Sequence, residues 1–271
     1  KFIKNETEFK AGFTFNKSTN NKISAIIPVH IWGNATRFDE LVPLCAERNI
    51  VVVEDASESL GTVYSKGNYS GKHTGTIGSL GCLSFNGNKI ITTGGGGMIL
   101  TDFEELAEKA RYLTTQAKDD PVRYIHHEIG YNFRLTNIQA AMGVAQLEQL
   151  PGFLERKRKI FLQYQTALQD IEGLTLANIP NYADNNHWIN LMRIDSPLYG
   201  EDRETLMQRL EKNGIQTRPV WALNHLQKPY KNCISYEIDN AYKLVNNSLC
   251  LPSSLNLTED EITKIITNLN G

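Results

Sequence analysis

The first part of the chain alternates short apolar runs with an amphipathic stretch. Ile23–Val29 and Ile50–Val53 are apolar runs typical of buried strands, and Phe38–Glu47 between them has the apolar spacing of a helix. A strand, a helix and a strand joined by short connections predict a βαβ unit and a parallel sheet. Ligands collect at the carboxyl ends of such strands, which is where His30 and Asp55 fall.

A glycine-rich loop follows, between two further apolar segments. Leu83–Phe85 and Met98–Leu100 flank the loop 86–97, and we expect the two segments to pair as strands. The loop contains a single lysine, Lys89, and a run of four glycines.

The second half of the chain is predominantly helical. One helix is predicted over residues 137–150 and another from Pro151 to about Leu168, because proline favours the first position of a helix. A last helix is predicted over Glu259–Leu269, with Thr258 as its N-cap. We expect two domains, 1–155 and 156–271, with their boundary in the long helical region.

Composition narrows the class of protein. The 271 residues are 41% hydrophobic and carry a net charge of -2, so no basic surplus indicates nucleic acid or an anionic membrane as a partner. No apolar run reaches the roughly 20 residues that cross a bilayer. The four cysteines show no CxxC spacing, which predicts reduced thiols and a cytoplasmic protein. No metal site is predicted.

Lys89 is the first candidate for chemistry. It lies in the segment SFNGNKIITTGGGGM, where Ser84 offers a hydroxyl for a phosphate and the glycines let backbone approach a ligand closely. A lysine partly withdrawn from water has a lowered pKa and becomes a nucleophile toward a carbonyl. The alternative is an exposed lysine on a hairpin loop whose glycines only make the turn.

Asp55 is the second candidate, because it ends an apolar strand in VEDASESLG. A carboxylate at that position can keep a pyridine nitrogen protonated, which makes the ring an electron sink. The alternative is a capping aspartate at a strand-to-helix turn. A lysine and an acid are the minimal protein groups for pyridoxal chemistry, and spacing alone leaves open whether these two meet.

The motifs EDASESLG, GTIGSLGCLSFNGNKIITTGGGGM and GYNFRLTNIQAAMG resemble, in this order, those of the DegT/DnrJ/EryC1/StrS sugar aminotransferases. PVHIWGN, LNHLQKPY and LCLPSS extend the resemblance over nearly the whole chain. The resemblance implies an α/β protein of the fold-type I class that uses pyridoxal 5'-phosphate. Residues 1–155 would form a large domain with a mostly parallel sheet, and 156–271 a smaller α+β domain.

The resemblance also implies roles for individual residues. Lys89 resembles the Schiff-base lysine that moves the substrate proton, and Asp55 resembles the acid at the pyridine nitrogen. Glu58 corresponds to a residue near the ring hydroxyl of the cofactor, and Ser84 to a phosphate ligand. Asn132 resembles an asparagine that reaches the cofactor phosphate of a neighbouring subunit, which implies a homodimer with shared active sites.

The reaction implied is transfer of an amino group, with glutamate as donor, to a nucleotide-linked keto sugar for surface glycans. The sequences of these motifs most resemble those of enzymes that act on UDP-linked 4-keto-6-deoxy-N-acetyl sugars in legionaminic acid or bacillosamine-type pathways. His30 and His225 are expected near the substrate, although a buried, hydrogen-bonded role for His30 is an equal alternative.

Two departures from the family pattern stand out. Gly95 replaces a glutamate that usually follows the lysine, and we expect this change to be tolerated. We also expect the chain to be truncated, without the family's N-terminal segment, whose turn binds the phosphate and whose aromatic ring stacks on the cofactor. The rival interpretations are a related dehydratase, which has histidine in place of Lys89, and a non-catalytic regulator or scaffold of the same fold.

Overall fold

The protein is described by a computed structural model over residues 1–270, in which the chain forms two compact units. The first contains Lys1–Gly152 and Pro180–Asn186, and the second contains Phe153–Ile179 and the chain from His187 onward. The helices are α1 (Phe2–Asn5), α2 (Phe38–Glu47), α3 (Glu104–Thr114), α4 (Asn137–Leu168), α5 (Ser196–Tyr199), α6 (Arg203–Lys212), α7 (Asp239–Asn246) and α8 (Glu259–Leu269).

The strands are short. They are β1 (Thr7–Lys10), β2 (Phe13–Asn16), β3 (Lys22–Ile23), β4 (Ala25–Ile26), β5 (Val51–Asp55), β6 (Val63–Tyr64), β7 (Leu80–Ser84), β8 (Gly97–Leu100), β9 (Leu174–Leu176), β10 (Ala183–Asp184), β11 (Asn190–Ile194), β12 (Arg218–Pro219) and β13 (Ser248–Leu251).

The central sheet of the first unit has the strand order β4-β5-β7-β8. β5 pairs in parallel with both β4 and β7, which confirms the predicted parallel sheet. β8 runs antiparallel to β7, with Leu83 opposite Met98, so the two apolar segments around the glycine-rich loop pair as expected. The carboxyl ends of β5 and β7 therefore lie side by side.

Helix α2 spans the residues predicted for it and supplies Phe38 and Cys45 to the core of the first unit. Val52 of β5 and Tyr64 of β6 complete the centre of that core. Before the central sheet, β1, β2 and β3 form an antiparallel meander that the apolar pattern does not predict. Its buried Thr14 donates a hydrogen bond to the Arg48 carbonyl after α2.

The second unit is an antiparallel sheet of order β12-β13-β11-β9 covered by helices. Its core combines residues of the sheet with apolar residues of α6, α8 and the second half of α4, including Ile160, Tyr164 and Leu168. Helix α8 begins and ends as predicted, and Thr258 caps it in a capping box with Glu261. An antiparallel sheet with helices matches the predicted α+β character.

The prediction of two helices around Pro151 is wrong, because α4 is continuous from Asn137 to Leu168 with Pro151 inside it. A proline inside a helix costs about 3 kcal/mol and kinks it. Burial of Ile160, Tyr164 and Leu168 in the second unit offsets that cost. The division between the two units falls within α4, after Gly152. No helix among residues 1–270 is long and apolar enough to cross a membrane.

Candidate active site

Two of the predicted residues are brought together by the parallel pairing of β5 and β7. The register places Asp55 opposite Cys82, so Ser84 lies two residues further along the neighbouring strand. Asp55 accepts a hydrogen bond from the Ser57 backbone N–H at 3.1 Å, which fixes its carboxylate at the strand end. A hydroxyl and a carboxylate thus stand at one edge of the sheet, where ligands of parallel sheets bind.

Lys89 is carried by a loop that is closed at its base. The Phe85 carbonyl accepts hydrogen bonds from the Thr93 backbone N–H at 3.0 Å and from the Thr92 hydroxyl at 3.1 Å. Ile90 and Ile91, next to the lysine, are buried and anchor the loop. Only 13% of the Lys89 side chain is exposed. Lys89 is therefore not the exposed loop lysine that the sequence allowed as an alternative.

The amine of Lys89 faces the carboxylate of Glu58, with Nζ 4.0 Å from Oε1. Burial lowers the pKa of Lys89, and the carboxylates of Glu58 and Asp55 oppose part of that shift. Burial also raises the pKa of Glu58, while the hydrogen bond from the Trp32 backbone N–H and the charge of Lys89 act to lower it. A lysine with a lowered pKa is neutral more often than an ordinary lysine, and a neutral amine attacks carbonyl carbon.

The glycine run after Lys89 serves two different purposes. A Cβ on Gly97 would lie 2.4 Å from the Leu83 carbonyl oxygen, and one on Gly96 would lie 2.7 Å from the Leu135 side chain. The backbone contact in the β7–β8 pair requires glycine at Gly97, and a φ of 93° favours glycine at Gly96. Gly94 and Gly95 have nothing within 4 Å of a built Cβ, so packing does not demand glycine at Gly95.

His30 is fully buried and both of its ring nitrogens are engaged. Nδ1 accepts from the Thr36 backbone N–H at 3.0 Å, and Nε2 lies 2.9 Å from the Glu54 carboxylate. This geometry favours the buried, hydrogen-bonded role that the sequence left open. Glu54 and Trp32, whose N–H donates to Glu58, are site residues that the sequence analysis missed. The sequence signal available for Glu54 was an acidic residue at a position of an apolar strand whose side chain faces the protein interior.

The two remaining predicted residues are Asn132 and His225. Asn132 is exposed and forms a bridge with Thr115, next to Tyr131 and Phe133. His225 belongs to the second unit, where its Nε2 lies 2.9 Å from the Tyr242 hydroxyl. Their roles toward a neighbouring cofactor and a substrate stay predictions.

The groups at the strand ends fit a ligand with an aldehyde, a basic ring nitrogen and a phosphate. Lys89 supplies an amine for the aldehyde, Asp55 a carboxylate for the ring nitrogen, and Ser84 a hydroxyl for the phosphate. Each of the three is only partly buried, so each can reach a ligand. This set of groups is the one that pyridoxal phosphate requires from a protein.

Comparison with known proteins gives a consistent result. "Putative pyridoxal phosphate-dependent aminotransferase EpsN" of Bacillus subtilis is 42% identical over 248 residues, covering 89% of this chain and 61% of that protein. GDP-perosamine synthase of Caulobacter vibrioides is 34% identical over 250 residues, covering 92% of this chain and 66% of that protein.

The solved structure of DesI with its TDP-sugar product shares 26% identity and a TM-score of 0.83, over 93% of this chain and 62% of that one. The chain therefore has the fold of the fold-type I sugar aminotransferases, as predicted, and spans about three fifths of the length of such relatives. The profile of the DegT/DnrJ/EryC1/StrS aminotransferase family matches residues 14–270. The chain belongs to the DegT/DnrJ/EryC1/StrS aminotransferase family.

Proposed function

We propose that this protein is a pyridoxal phosphate-dependent aminotransferase that aminates a keto sugar linked to a nucleotide. The observation that carries the proposal is the placement of Lys89, with its largely buried amine 4.0 Å from Glu58 and a pKa lowered by burial. Asp55 and Ser84 at neighbouring strand ends supply the two other groups that the cofactor needs.

Pyridoxal phosphate, when bound, supplies an electron sink and carries the amino group between donor and ketone. Lys89 would hold the cofactor and then move a proton at the substrate carbon, for which an amine with a lowered pKa is suited. Asp55 would keep the ring nitrogen protonated, and Glu58 would lie near the ring hydroxyl. Ser84 would donate its hydroxyl hydrogen to the phosphate.

The substrate class rests on relatives. GDP-perosamine synthase is named for a nucleotide sugar, and the structure of DesI was solved with its TDP-sugar product. Both proteins match this chain over more than nine tenths of its length. We propose a nucleotide-linked 4-keto-6-deoxy sugar as acceptor. Among these sugars we favour the UDP-linked N-acetyl forms, because the sequence motifs are most similar to those of enzymes that act on them. Glutamate is the proposed amino donor, and a cytoplasmic location remains a prediction.

A homodimer is proposed for the active protein. Residues around Asn132 expose large apolar side chains, with 84% of Ile129 and 70% of Phe133 accessible to solvent. Val122 and Ile138 are each 80% exposed in the same stretch of the first unit. Exposed apolar patches of this kind mark protein interfaces. A second copy covering this surface would bring Asn132 to the partner's cofactor phosphate.

The two rival interpretations differ from the proposal in observable ways. The dehydratase reaction calls for histidine where this chain has Lys89, which favours amination. A regulator or scaffold would need no lysine with a lowered pKa beside two carboxylates, but Lys89 has this environment. The intact set of Lys89, Asp55 and Ser84 therefore supports an enzyme.

The direct test is a panel of UDP-, GDP- and dTDP-linked 4-keto sugars incubated with the purified protein, pyridoxal phosphate and glutamate. Mass spectrometry should find an amino sugar and 2-oxoglutarate in equal amounts for at least one nucleotide. The Lys89→Ala protein is the matched control and should form neither product. Protein that holds the cofactor and aminates no keto sugar would contradict the proposed substrate class.

A further inference from the structure

The segment between His30 and Thr36 is a turn locked by a buried imidazole. His30 Nδ1 accepts the Thr36 backbone N–H at 3.0 Å, so Nδ1 carries no proton. Nε2 must then be the protonated nitrogen, and it donates to Glu54 Oε2 at 2.9 Å. Both side chains have 0% exposure. The two hydrogen bonds fix the tautomer and the orientation of the ring.

Glu54 is itself held on several sides. Its carboxylate accepts backbone N–H groups of Gly75 at 2.7 Å, Ile77 at 2.6 Å and Gly78 at 2.5 Å, in addition to His30. Burial acts to raise the pKa of Glu54, but these hydrogen bonds together hold it below its usual value. Glu54 is therefore a fixed anion, with its oxygens saturated by donors, and not a group that reaches a ligand.

Within the locked turn, Trp32 adopts a conformation that few residues with a side chain tolerate. Its φ is 55° and its ψ is 25°, in the left-handed region. Such strain persists only where the surroundings determine it, and it often marks a functional site. The turn carbonyls of Gly33, Ala35 and Thr36 are also held, by the hydroxyls of Thr62, Tyr182 and Tyr64.

The strained conformation directs the Trp32 backbone N–H at the site. That N–H donates to Glu58 Oε2 at 2.8 Å, while Glu58 Oε1 lies 4.0 Å from Lys89 Nζ. The two oxygens of one carboxylate thus face the turn and the lysine. Glu58 and Asp55 are the carboxylates that act on Lys89. Loss of the Trp32 contact would free Glu58 to rotate away from the amine.

We propose that His30 and Glu54 are positioning residues, which hold the Trp32 amide on Glu58 and thereby keep the Glu58 carboxylate against Lys89. They act through Glu58 and touch neither cofactor nor substrate. The proposal deepens the proposed function and rests on it for the importance of Lys89. The hydrogen bonds that carry the proposal join protein groups only.

The test is the titration of Lys89 in protein without added cofactor. Trace acetic anhydride labels neutral amines, and mass spectrometry of the Lys89 peptide across pH 6–11 gives the fraction that is neutral, with exposed Lys10 as internal standard. Glu58→Gln should lower the pKa of Lys89 by about one unit, because it removes the facing negative charge. His30→Gln should lower it by about half a unit or more.

Two amide substitutions separate the two bonds of His30. Asn places its carbonyl oxygen where Nδ1 lies, so His30→Asn keeps the acceptor for the Thr36 N–H. Gln places its amide nitrogen near Nε2, so His30→Gln keeps the donor to Glu54 and opens the turn. We therefore expect His30→Asn, which loses only the contact with Glu54, to lower the pKa of Lys89 less than His30→Gln does. Should His30→Gln not fold, Glu54→Gln tests the same clamp with the same expected sign.

Thr14→Val is the matched control for general destabilisation. Thr14 is also fully buried in the first unit, and its hydroxyl donates to the Arg48 carbonyl at 2.5 Å, away from the turn. It should lose a comparable hydrogen bond and leave the pKa of Lys89 unchanged. The proposal is overturned if His30→Gln titrates as wild type, or if Thr14→Val shifts Lys89 equally. Shifts as expected, without trapping of cofactor on Lys89, would reject the proposed function alone.

Discussion

Residues 1–270 include two largely buried lysines with lowered pKa values, and their surroundings differ. Lys157 of α4 is 5% exposed, and burial lowers its pKa to about 8. Its amine donates to the carbonyls of Trp188, at 2.9 Å, and Ser253. Lys89 is somewhat more exposed and faces the carboxylate of Glu58.

The difference shows that burial alone does not make a lysine a nucleophile. The Lys157 amine is used to join α4 to the backbone around β11 and β13, so it stabilises the second unit. Lys89 stands on a closed loop beside strand ends that carry Asp55 and Ser84, and its amine lies near the carboxylates of Glu58 and Asp55. We therefore propose a structural role for Lys157 and a chemical role for Lys89.

The largest expected effect that separates the two lysines is on turnover. Lys89→Ala should reduce transamination by about a thousandfold or more, since loss of a covalent nucleophile typically costs at least that much. The change should cost less free energy of unfolding than removal of the Lys157 amine, because Lys89 is more exposed and its amine lies 4.0 Å from the Glu58 carboxylate. Steady-state rates and urea unfolding measure the two quantities on the same samples.

Lys157→Met should show the opposite pattern. It leaves the carbonyls of Trp188 and Ser253 without their donor, which should cost about 2–4 kcal/mol of unfolding free energy. Where the protein remains folded, cofactor should still attach at Lys89. A variant with wild-type stability would show that the two carbonyl contacts contribute little.

The smallest expected effect is a pH dependence of stability. In the folded chain the pKa of Lys157 is about 8, against 10.5 for an ordinary lysine. Between these values the unfolded chain binds a proton that the folded chain has released, so stability should rise with pH, on the order of 1–2 kcal/mol from pH 8 to 10. Urea midpoints across this range should rise more steeply with pH for wild type than for Lys157→Met.

Much of the fold could be predicted because its signals are local. Apolar periodicity and capping place α2 and α8 at the residues where they occur, and alternating apolar segments predict the pairing of β7 with β8. Pro151 misled the prediction, since a proline that starts a helix and one inside a helix look alike locally. Burial of the second half of α4 decides between them.

The site was predictable only in part, for the same reason. Asp55 and Ser84 follow apolar strands, so their place at a sheet edge can be read along the chain. The contact between His30 and Glu54 joins residues 24 positions apart, and Trp32 takes its left-handed conformation within the turn that this contact helps to hold. Neither feature has a local signature.

The most direct test of the central claim is to find the lysine that binds the cofactor. Purified protein is incubated with pyridoxal phosphate, reduced with borohydride, digested and mapped by mass spectrometry. We predict one phosphopyridoxyl group per chain on Lys89, no such group on Lys157, and a yellow colour before reduction that Lys89→Ala lacks. A label on another lysine with Lys89 unmodified, or a protein that stays colourless and unlabelled, would contradict the assignment of Lys89.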